Sequence, residues 1–204
     1  MQQIKNIIFD LGGVLLNVDY NKTAAAFKRL GFANFDELYS QSTANDLFEN
    51  LETGKISEKE FYDALQAYNN TPVTQKEMEL AWNEILLDFR KESLAFLTTV
   101  KNKYNLFLLS NTNSIHQKGF NQIYTNELER GSLDDYFIKS YYSHLIHMRK
   151  PYRETYEFVL KDSNLNPEET LFIDDSIGNM EGAVLAGIQV HLLLPGQKIE
   201  MLGL

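Results

Sequence analysis

The sequence predicts an α/β fold: a doubly wound parallel sheet with an inserted helical domain. Apolar runs typical of buried strands recur along the chain, at residues 4–9, 106–109, 138–142, 171–173 and 190–194. After Asn105 these runs alternate with helical patterns, at residues 114–128, 152–160 and 177–186. Strands that alternate with helices pair in parallel through right-handed crossovers, which places helices on both faces of an open sheet.

A long block between the first two predicted strands, residues 19–88, has no convincing strand pattern. Its pieces have the periodicity of amphipathic helices, at residues 20–30, 35–40, 45–51, 57–68 and 74–87. Gly54 is a helix stop, and Ser57 with Glu60 three residues later is typical of a capping box. We therefore predict a core domain of residues 1–18 and 89–204 and a helical cap domain of residues 19–88.

Composition narrows the class of partner. The 204 residues, 44% of them hydrophobic, can bury one sizeable core or a core with a smaller inserted domain. A formal net charge of -9 argues against nucleic acid and anionic membranes and favours a small-molecule partner. The chain has no cysteine, which excludes disulfides, zinc–thiolate sites and thiol nucleophiles. The N-terminal apolar run reaches Asp10 too soon for a signal peptide, so we expect a cytoplasmic protein.

Polar residues follow four of the predicted strands, at the edge where open α/β sheets bind ligands. In strand order they are Asp10; Ser110 and Asn111; Arg149 and Lys150; Asp174 and Asp175. Three carboxylates crowded into a partly dry cleft repel one another, so they take up protons or bind a cation. An all-oxygen set of ligands suits Mg2+, and the sequence therefore predicts a magnesium site.

Four motifs at these strand ends resemble those of the haloacid dehalogenase superfamily, most of whose members are magnesium-dependent phosphatases. In chain order they are FDLGGVL, LLSNTN, RKP and FIDDSIGNMEGA. The helical block resembles the cap that the family's subfamily I inserts between motifs I and II. The resemblance covers nearly the whole chain and implies a Rossmann-like core beneath a cap. The chain also resembles a branch of the family with glycine at position 12, which includes an α-D-glucose-1-phosphate phosphatase.

The resemblance also implies roles for the acidic residues. Asp10 would attack the substrate phosphorus and form an aspartyl phosphate that water later hydrolyses. The Asp10 and Asp175 carboxylates and the Gly12 carbonyl would bind Mg2+. Asp174 and Asn179 would orient the groups around that ion.

The remaining motif residues would bind the phosphoryl group. Ser110 and the Asn111 backbone would hold phosphoryl oxygens, and Lys150 would offset the charge of the nucleophile and the phosphate. Arg149 would either contact the phosphate or support Lys150. The expected partner is a small phosphorylated metabolite, because a helical lid over the site leaves no room for a protein substrate.

Gly12 departs from the family pattern. Most phosphatases of the family have a second aspartate here, which protonates the leaving alcohol and then activates water. General acid catalysis typically contributes a factor of about 100 to 10,000, so its loss matters least for a good leaving group such as an anomeric phosphate. Asp19, near the expected hinge of the cap, is a candidate replacement, although the N-cap of the helix from Tyr20 is the favoured interpretation.

Three functions stay open on the sequence alone. The main expectation is a phosphatase of small phosphate monoesters, such as glucose 1-phosphate, that works without the usual acid. A 2-haloacid dehalogenase uses the same aspartate on carbon and needs no metal, but Asp174 and Asp175 would then repel an anionic substrate. Gly12 also motivates a degenerate, non-catalytic member that binds a phosphorylated ligand or a protein, although the nucleophile and the other motif residues are intact.

Overall fold

The protein is described by a computed structural model over residues 3–39, 46–128 and 131–204. Its described strands are β1 (Asn6–Phe9), β2 (Leu16–Val18), β3 (Leu86–Phe89), β4 (Asn105–Ser110), β5 (Lys139–Tyr142), β6 (Thr170–Asp174) and β7 (Gln189–Leu192). Five of them form a wholly parallel sheet in the order β5-β4-β1-β6-β7. This central sheet confirms the predicted fold class and places the end of β1 at its middle.

The described helices are α1 (Tyr20–Arg29), α2 (Phe35–Leu38), α3 (Asp46–Glu52), α4 (Glu58–Gln66), α5 (Gln75–Asn83), α6 (Lys91–Val100), α7 (Ser114–Leu128), α8 (Ser143–Ile146), α9 (Arg153–Asp162) and α10 (Met180–Leu185). Two predicted helix ends, at residues 40 and 45, lie outside the described residues. The capping box at Ser57 and Glu60 is present at the start of α4. None of the described helices combines the length and the apolar character needed to cross a membrane.

Both faces of the sheet are covered by helices. Alternate residues of a strand point to opposite faces, so Ile7 and Phe9 join the apolar cluster that contains residues of α6 and α7, and Ile8 joins the one that contains residues of α9 and α10. All three side chains are fully buried. The sheet is thus the middle of three layers, and its carboxyl edge is left for polar residues.

The helices α1 to α5 have an apolar cluster of their own, rich in aromatic rings. Its largest fully buried members are Trp82, Phe27, Phe32, Phe35, Phe48 and Phe61. Ile115 of α7 belongs to the same cluster, and the ring of His116 stacks on Trp82 at 4.6 Å between centroids. These contacts attach the inserted helices to the sheet domain at one side of its carboxyl edge.

A two-stranded antiparallel ribbon connects the insert to the sheet domain. Strands β2 and β3 pair Leu16 with Phe89 and Val18 with Leu86. The predictions of a helix through residue 87 and of no strand between 19 and 88 are therefore wrong at Leu86–Phe89. The apolar residues there continue the pattern of α5, but pairing with β2 overrides that local preference. The predicted domain boundary at 88/89 falls inside β3 and stays a prediction.

Candidate active site

The conformation of the turn after β1 requires glycine at one of its two glycine positions, 12 and 13. The Asp10 amide donates to the Ile173 carbonyl at 2.9 Å, which continues the pairing of β1 with β6 past the end of the strand. Gly13 has a φ of +71°, and a Cβ there would lie 2.0 Å from Oδ2 of Asp175. A Cβ on Gly12 would lie 3.6 Å from its nearest neighbour, Cγ1 of Val18, which is ordinary contact. The backbone therefore requires glycine at position 13 but not at position 12.

Lys150 is buried between two carboxylates. Its Nζ lies 2.6 Å from Oδ1 of Asp10 and 2.7 Å from Oδ2 of Asp174, and the residue is 1% exposed. Burial alone would lower the pKa of Lys150, but the two carboxylates outweigh it and hold the pKa above its usual value. The ammonium group is therefore charged and held against Asp10.

Asn111 fixes the backbone of Lys150. Its side-chain Nδ2 donates to the Lys150 carbonyl at 2.8 Å, and its Oδ1 accepts from the Lys150 amide at 2.9 Å. The side chain of Asn111 is thereby occupied, while Ser110 and Asn111 both line the cavity beside Asp10. The Asn111 side chain is thus engaged by Lys150, and the contact of its backbone with a phosphoryl group, which the resemblance implies, stays a prediction.

Asp174 is fully buried and has both oxygens engaged. Oδ1 accepts from the Ser176 amide at 2.7 Å, and Oδ2 accepts from Nδ2 of Asn179 at 2.8 Å as well as from Lys150. Such a carboxylate is better suited to orienting its neighbours than to binding a ligand itself.

The three aspartates of the site form a cluster that suits a cation. Each of Asp10, Asp174 and Asp175 offers an oxygen within 4.8 Å of the others. Burial raises the pKa of Asp10 to about 7; Lys150 opposes this rise, and Asp174 and Asp175 add to it. Burial and Asp174 also raise the pKa of Asp175. A divalent cation would relieve this repulsion, and the hard oxygen donors fit Mg2+. Because Asp174 is occupied, Asp10 and Asp175 are the carboxylates best placed to bind it.

A cavity of about 830 Å³ opens over these residues, within the size range of sites for small molecules. Its predicted lining residues are Asp10, Gly12, Ser110, Asn111, Arg149, Lys150, Asp175 and Asn179. The inserted helices and their connections contribute Tyr20, Tyr39, Glu52 and Ile85. The cavity therefore lies between the sheet edge and the helical insert.

Arg149 connects the sheet domain to the insert. Its guanidinium forms ion pairs with Glu49 at 3.2 Å and with Glu52 at 3.0 Å, both on α3. Arg149 lines the cavity, but its charge is already balanced by these two carboxylates. The structure thus places it as a bridge between the two parts, a contact that neither of its predicted roles included.

Asp19 occupies the N-cap of α1. Its Oδ1 accepts from the Asn21 amide at 2.9 Å. Asp19 is not among the described residues that line the cavity. The favoured interpretation, a helix cap, is therefore the one that the contacts show, and the catalytic role stays a prediction.

Sequence reasoning did not select Tyr20, Tyr39 and Glu52. Burial raises the pKa of Tyr20, so its hydroxyl stays protonated. Burial also raises the pKa of Glu52, and Arg149 opposes that rise. All three lie in helical or turn patterns that carry no local signal of a site, and only the packing of the insert against the sheet edge makes them part of the cavity wall.

The four motifs, the parallel sheet and the helical insert agree with one family. A model of haloacid dehalogenase-like hydrolases matches residues 4–187. The chain belongs to this family, which confirms the resemblance seen in its motifs.

Two relatives are similar over most of their length. A D-ribitol-5-phosphate phosphatase of Bacteroides thetaiotaomicron is 36% identical over 182 residues, which cover 87% of this chain and 85% of that protein. A crystal structure of a HAD-family enzyme from the same species, a mutant in complex with magnesium and inorganic phosphate, is 34% identical with a TM-score of 0.92. It covers 98% of this chain and 99% of that one.

A more distant structure shows how widely the fold is shared. An L-2-haloacid dehalogenase from Xanthobacter autotrophicus is 17% identical with a TM-score of 0.60, over 94% of this chain and 78% of that one. At this identity the likeness concerns the fold alone.

Proposed function

We propose that the protein is a magnesium-dependent phosphatase that hydrolyses small phosphate monoesters, with sugar or polyol phosphates as the substrate class. The observation that carries the proposal is the buried pair of Asp10 and Lys150 at the floor of a metabolite-sized cavity. A carboxylate held beside a cation, with Asp175 close by, is arranged to meet a phosphoryl group. The similar D-ribitol-5-phosphate phosphatase supports the substrate class.

Asp10 is the nucleophile of this proposal. One of its oxygens forms a bond to phosphorus while the bond from phosphorus to the alcohol oxygen breaks; that oxygen keeps the electron pair of the bond and takes a proton from solvent water to leave as the alcohol. Water then attacks the phosphorus of the aspartyl phosphate, which releases inorganic phosphate and restores the carboxylate. Lys150 favours the ionised form of Asp10 and holds its carboxylate in position for the attack.

Ser110 and the Asn111 backbone bind the phosphoryl oxygens, since both lie at the end of β4, next to the end of β1. Asp10, Asp175 and the Gly12 carbonyl would hold the metal ion, and Asp174 with Asn179 would fix the surrounding groups. Mg2+ bound there supplies positive charge that offsets the charge on the phosphoryl oxygens.

The same contacts disfavour a dehalogenase. Asp174 and Asp175 lie close to Asp10, so without a cation their charge would repel a haloacid carboxylate. The intact buried pair of Asp10 and Lys150 likewise disfavours a non-catalytic member, because a purely binding protein has no use for a nucleophile.

Phosphate release from a substrate panel tests the proposal. The panel contains D-ribitol 5-phosphate, glucose 1-phosphate, glucose 6-phosphate, a nucleotide and p-nitrophenyl phosphate, each with Mg2+ and with a chelator. We expect release that depends on Mg2+ and is strongest from a sugar or polyol phosphate. Asp10→Asn should lower turnover at least about a thousandfold while leaving the circular dichroism spectrum unchanged. Magnesium-independent release, or a fully active Asp10→Asn variant, would contradict the mechanism.

A further inference from the structure

Glu52 is a buried acid that faces the active-site cavity from the helical insert. It is the last residue of α3 and is 9% exposed. It lines the same cavity as Asp10 and Ser110, which come from the sheet edge. The proposed phosphatase chemistry assigns no role to this carboxylate, although burying it is costly.

One oxygen of Glu52 lacks a hydrogen bond. Nε of Arg149 lies 3.0 Å from Oε2 of Glu52, but the direction of the N–H bond does not suit a hydrogen bond. Within the part of the chain that the structure describes, Oε2 is buried and has no hydrogen-bond partner. Oε2 is enclosed by protein and lies against Arg149, so a ligand in the cavity would reach Glu52 through the part of the side chain that lines the cavity.

Two tyrosines extend this polar surface. Tyr20 and Tyr39 both line the cavity, and their rings are in contact. Their ring centroids are 5.8 Å apart. A carboxylate acceptor beside phenol hydroxyls, which both donate and accept, matches a row of alcohol groups.

The cations of the cavity disfavour a second anionic group on the ligand. Among the described lining residues the cations are Arg149 and Lys150. Arg149 is paired with Glu49 and Glu52, and Lys150 is paired with Asp10 and Asp174. The part of the ligand that reaches Glu52 is therefore better uncharged.

We infer that Glu52, with Tyr20 beside it, binds hydroxyl groups of the substrate's alcohol portion and so selects polyol phosphates over unhydroxylated ones. This inference rests on the proposed phosphatase function and goes beyond it, because it assigns substrate selection to a named residue of the insert. Glu52 acts on the alcohol portion, while Asp10 acts on the phosphoryl group.

Paired substrates and paired variants test the inference. D-ribitol 5-phosphate and n-pentyl phosphate are both five-carbon primary phosphates and differ in their hydroxyl groups. Glu52→Ala should lower kcat/KM for ribitol 5-phosphate about 10- to 100-fold and change it less than about twofold for pentyl phosphate. Glu52→Gln keeps the shape of the side chain and removes its charge, so it should lower kcat/KM for ribitol 5-phosphate by a smaller factor. This variant also tests the inference if Glu52→Ala fails to fold.

Glu49→Ala is the matched control. It removes the other ion pair of Arg149, and Glu49 is not among the described cavity-lining residues. The preference for ribitol 5-phosphate over pentyl phosphate should be unchanged in this variant. Equal losses on both substrates, an unchanged preference in both Glu52 variants, or the same shift in Glu49→Ala would overturn the inference.

The wild-type protein separates failure of the inference from failure of the proposed function. Magnesium-dependent hydrolysis of pentyl phosphate with no preference for ribitol 5-phosphate would leave the phosphatase activity intact and refute both the polyol substrate class and selection by Glu52. Hydrolysis of no phosphate in the whole panel would refute the function, and the inference with it. Ribonate 5-phosphate carries a second anionic group at the end far from the phosphate. If it were turned over as efficiently as ribitol 5-phosphate, the inference that this end of the ligand is uncharged would be wrong.

Discussion

Lys150 and Asp10, which are 140 positions apart in the sequence, form a buried ion pair with 2.6 Å between Nζ and Oδ1. The same ammonium group contacts Asp174, so one cation balances two buried carboxylates. Asp175 adds a third carboxylate to the cluster. The net negative charge that remains is what a divalent cation would neutralise.

Replacing Lys150 should therefore damage stability as well as activity. Lys150→Met leaves Asp10 and Asp174 without a partner, which should lower the free energy of unfolding by about 3–5 kcal/mol. Mg2+ should recover part of this loss, because it binds the carboxylates left unpaired. Urea unfolding with and without Mg2+ measures both effects. Lys5→Met, which breaks the exposed pair with Glu169, is the control and should cost about 1 kcal/mol or less. Equal losses in the two variants would refute this account.

The two glycines after Asp10 should respond differently to alanine. Gly13→Ala places a Cβ against Asp175, in a backbone conformation that L residues rarely adopt. The affinity for Mg2+ and the free energy of unfolding should therefore both fall. In Gly12→Ala the new Cβ would make an ordinary van der Waals contact with Val18, so this variant should fold normally. Thermal unfolding and magnesium titration of the two variants check this. A severely destabilised Gly12→Ala variant would contradict it.

Space at position 12 also allows the missing acid to be restored. Because a general acid matters most for basic leaving groups, Gly12→Asp should raise kcat more for alkyl phosphates than for p-nitrophenyl phosphate, by a factor of about 10 to 100. The measurement is the ratio of the two rates in variant and wild type. An unchanged ratio would mean that the protein already obtains its proton from another group.

Asp19 offers a test of capping against catalysis. Asp19→Asn keeps a side-chain oxygen for the Asn21 amide, so stability and turnover should both stay close to wild type. Asp19→Ala removes the cap and should cost about 1 kcal/mol without a specific loss of kcat. Chemical unfolding and steady-state kinetics distinguish the two effects. A large fall in kcat for Asp19→Asn would restore the catalytic role.

His116 should make stability depend on pH. Burial lowers its pKa to about 4, against the opposing effect of its contact with the Trp82 carbonyl. Nε2 lies 3.1 Å from that carbonyl and Nδ1 lies 3.1 Å from Nδ2 of Asn113, so the neutral ring donates at Nε2 and accepts at Nδ1. The ring is neutral when folded and takes up a proton when unfolded below a pH of about 6.5.

Because the folded pKa of His116 is depressed, its contribution to stability is complete above pH 6.5 and is lost as the pH falls toward 4. The loss amounts to about 3 kcal/mol for a shift of this size. The unfolding free energy of wild type minus that of His116→Gln, measured by urea unfolding from pH 7 to pH 4, isolates this term. A difference that stays constant over this range would show that the buried ring does not take up its proton on unfolding.

The sheet could be predicted from the sequence because buried parallel strands are continuous apolar runs. All five strands of the central sheet lie at their predicted places within a few residues. Helix α6 and strand β2 are not among the predicted elements, and β2, with only three residues, is too short to show a strand pattern. Strand β3 was misassigned because its leucines fit the period of the helix before it.

The residues at strand ends could also be selected, because parallel strands bring their carboxyl ends together whatever lies between them. The ion-pair partners of Arg149 could not be predicted from the sequence, because Glu49 and Glu52 reach Arg149 only through the packing of α3 against the sheet domain. The same holds for Tyr20 and Tyr39, which line the cavity only because of tertiary contacts. Sequence reasoning thus found the groups proposed to act on phosphate and missed those proposed to choose the alcohol.

The ribbon of β2 and β3 brings the two ends of the helical insert side by side. Val18 pairs with Leu86, so a short turn between them would close the chain without the helices α1 to α5. A segment whose entry and exit are neighbours can be exchanged for another without altering the order of the sheet strands. The fold is therefore suited to modular evolution and to grafting, in which new lids bring new substrates to an unchanged reaction centre.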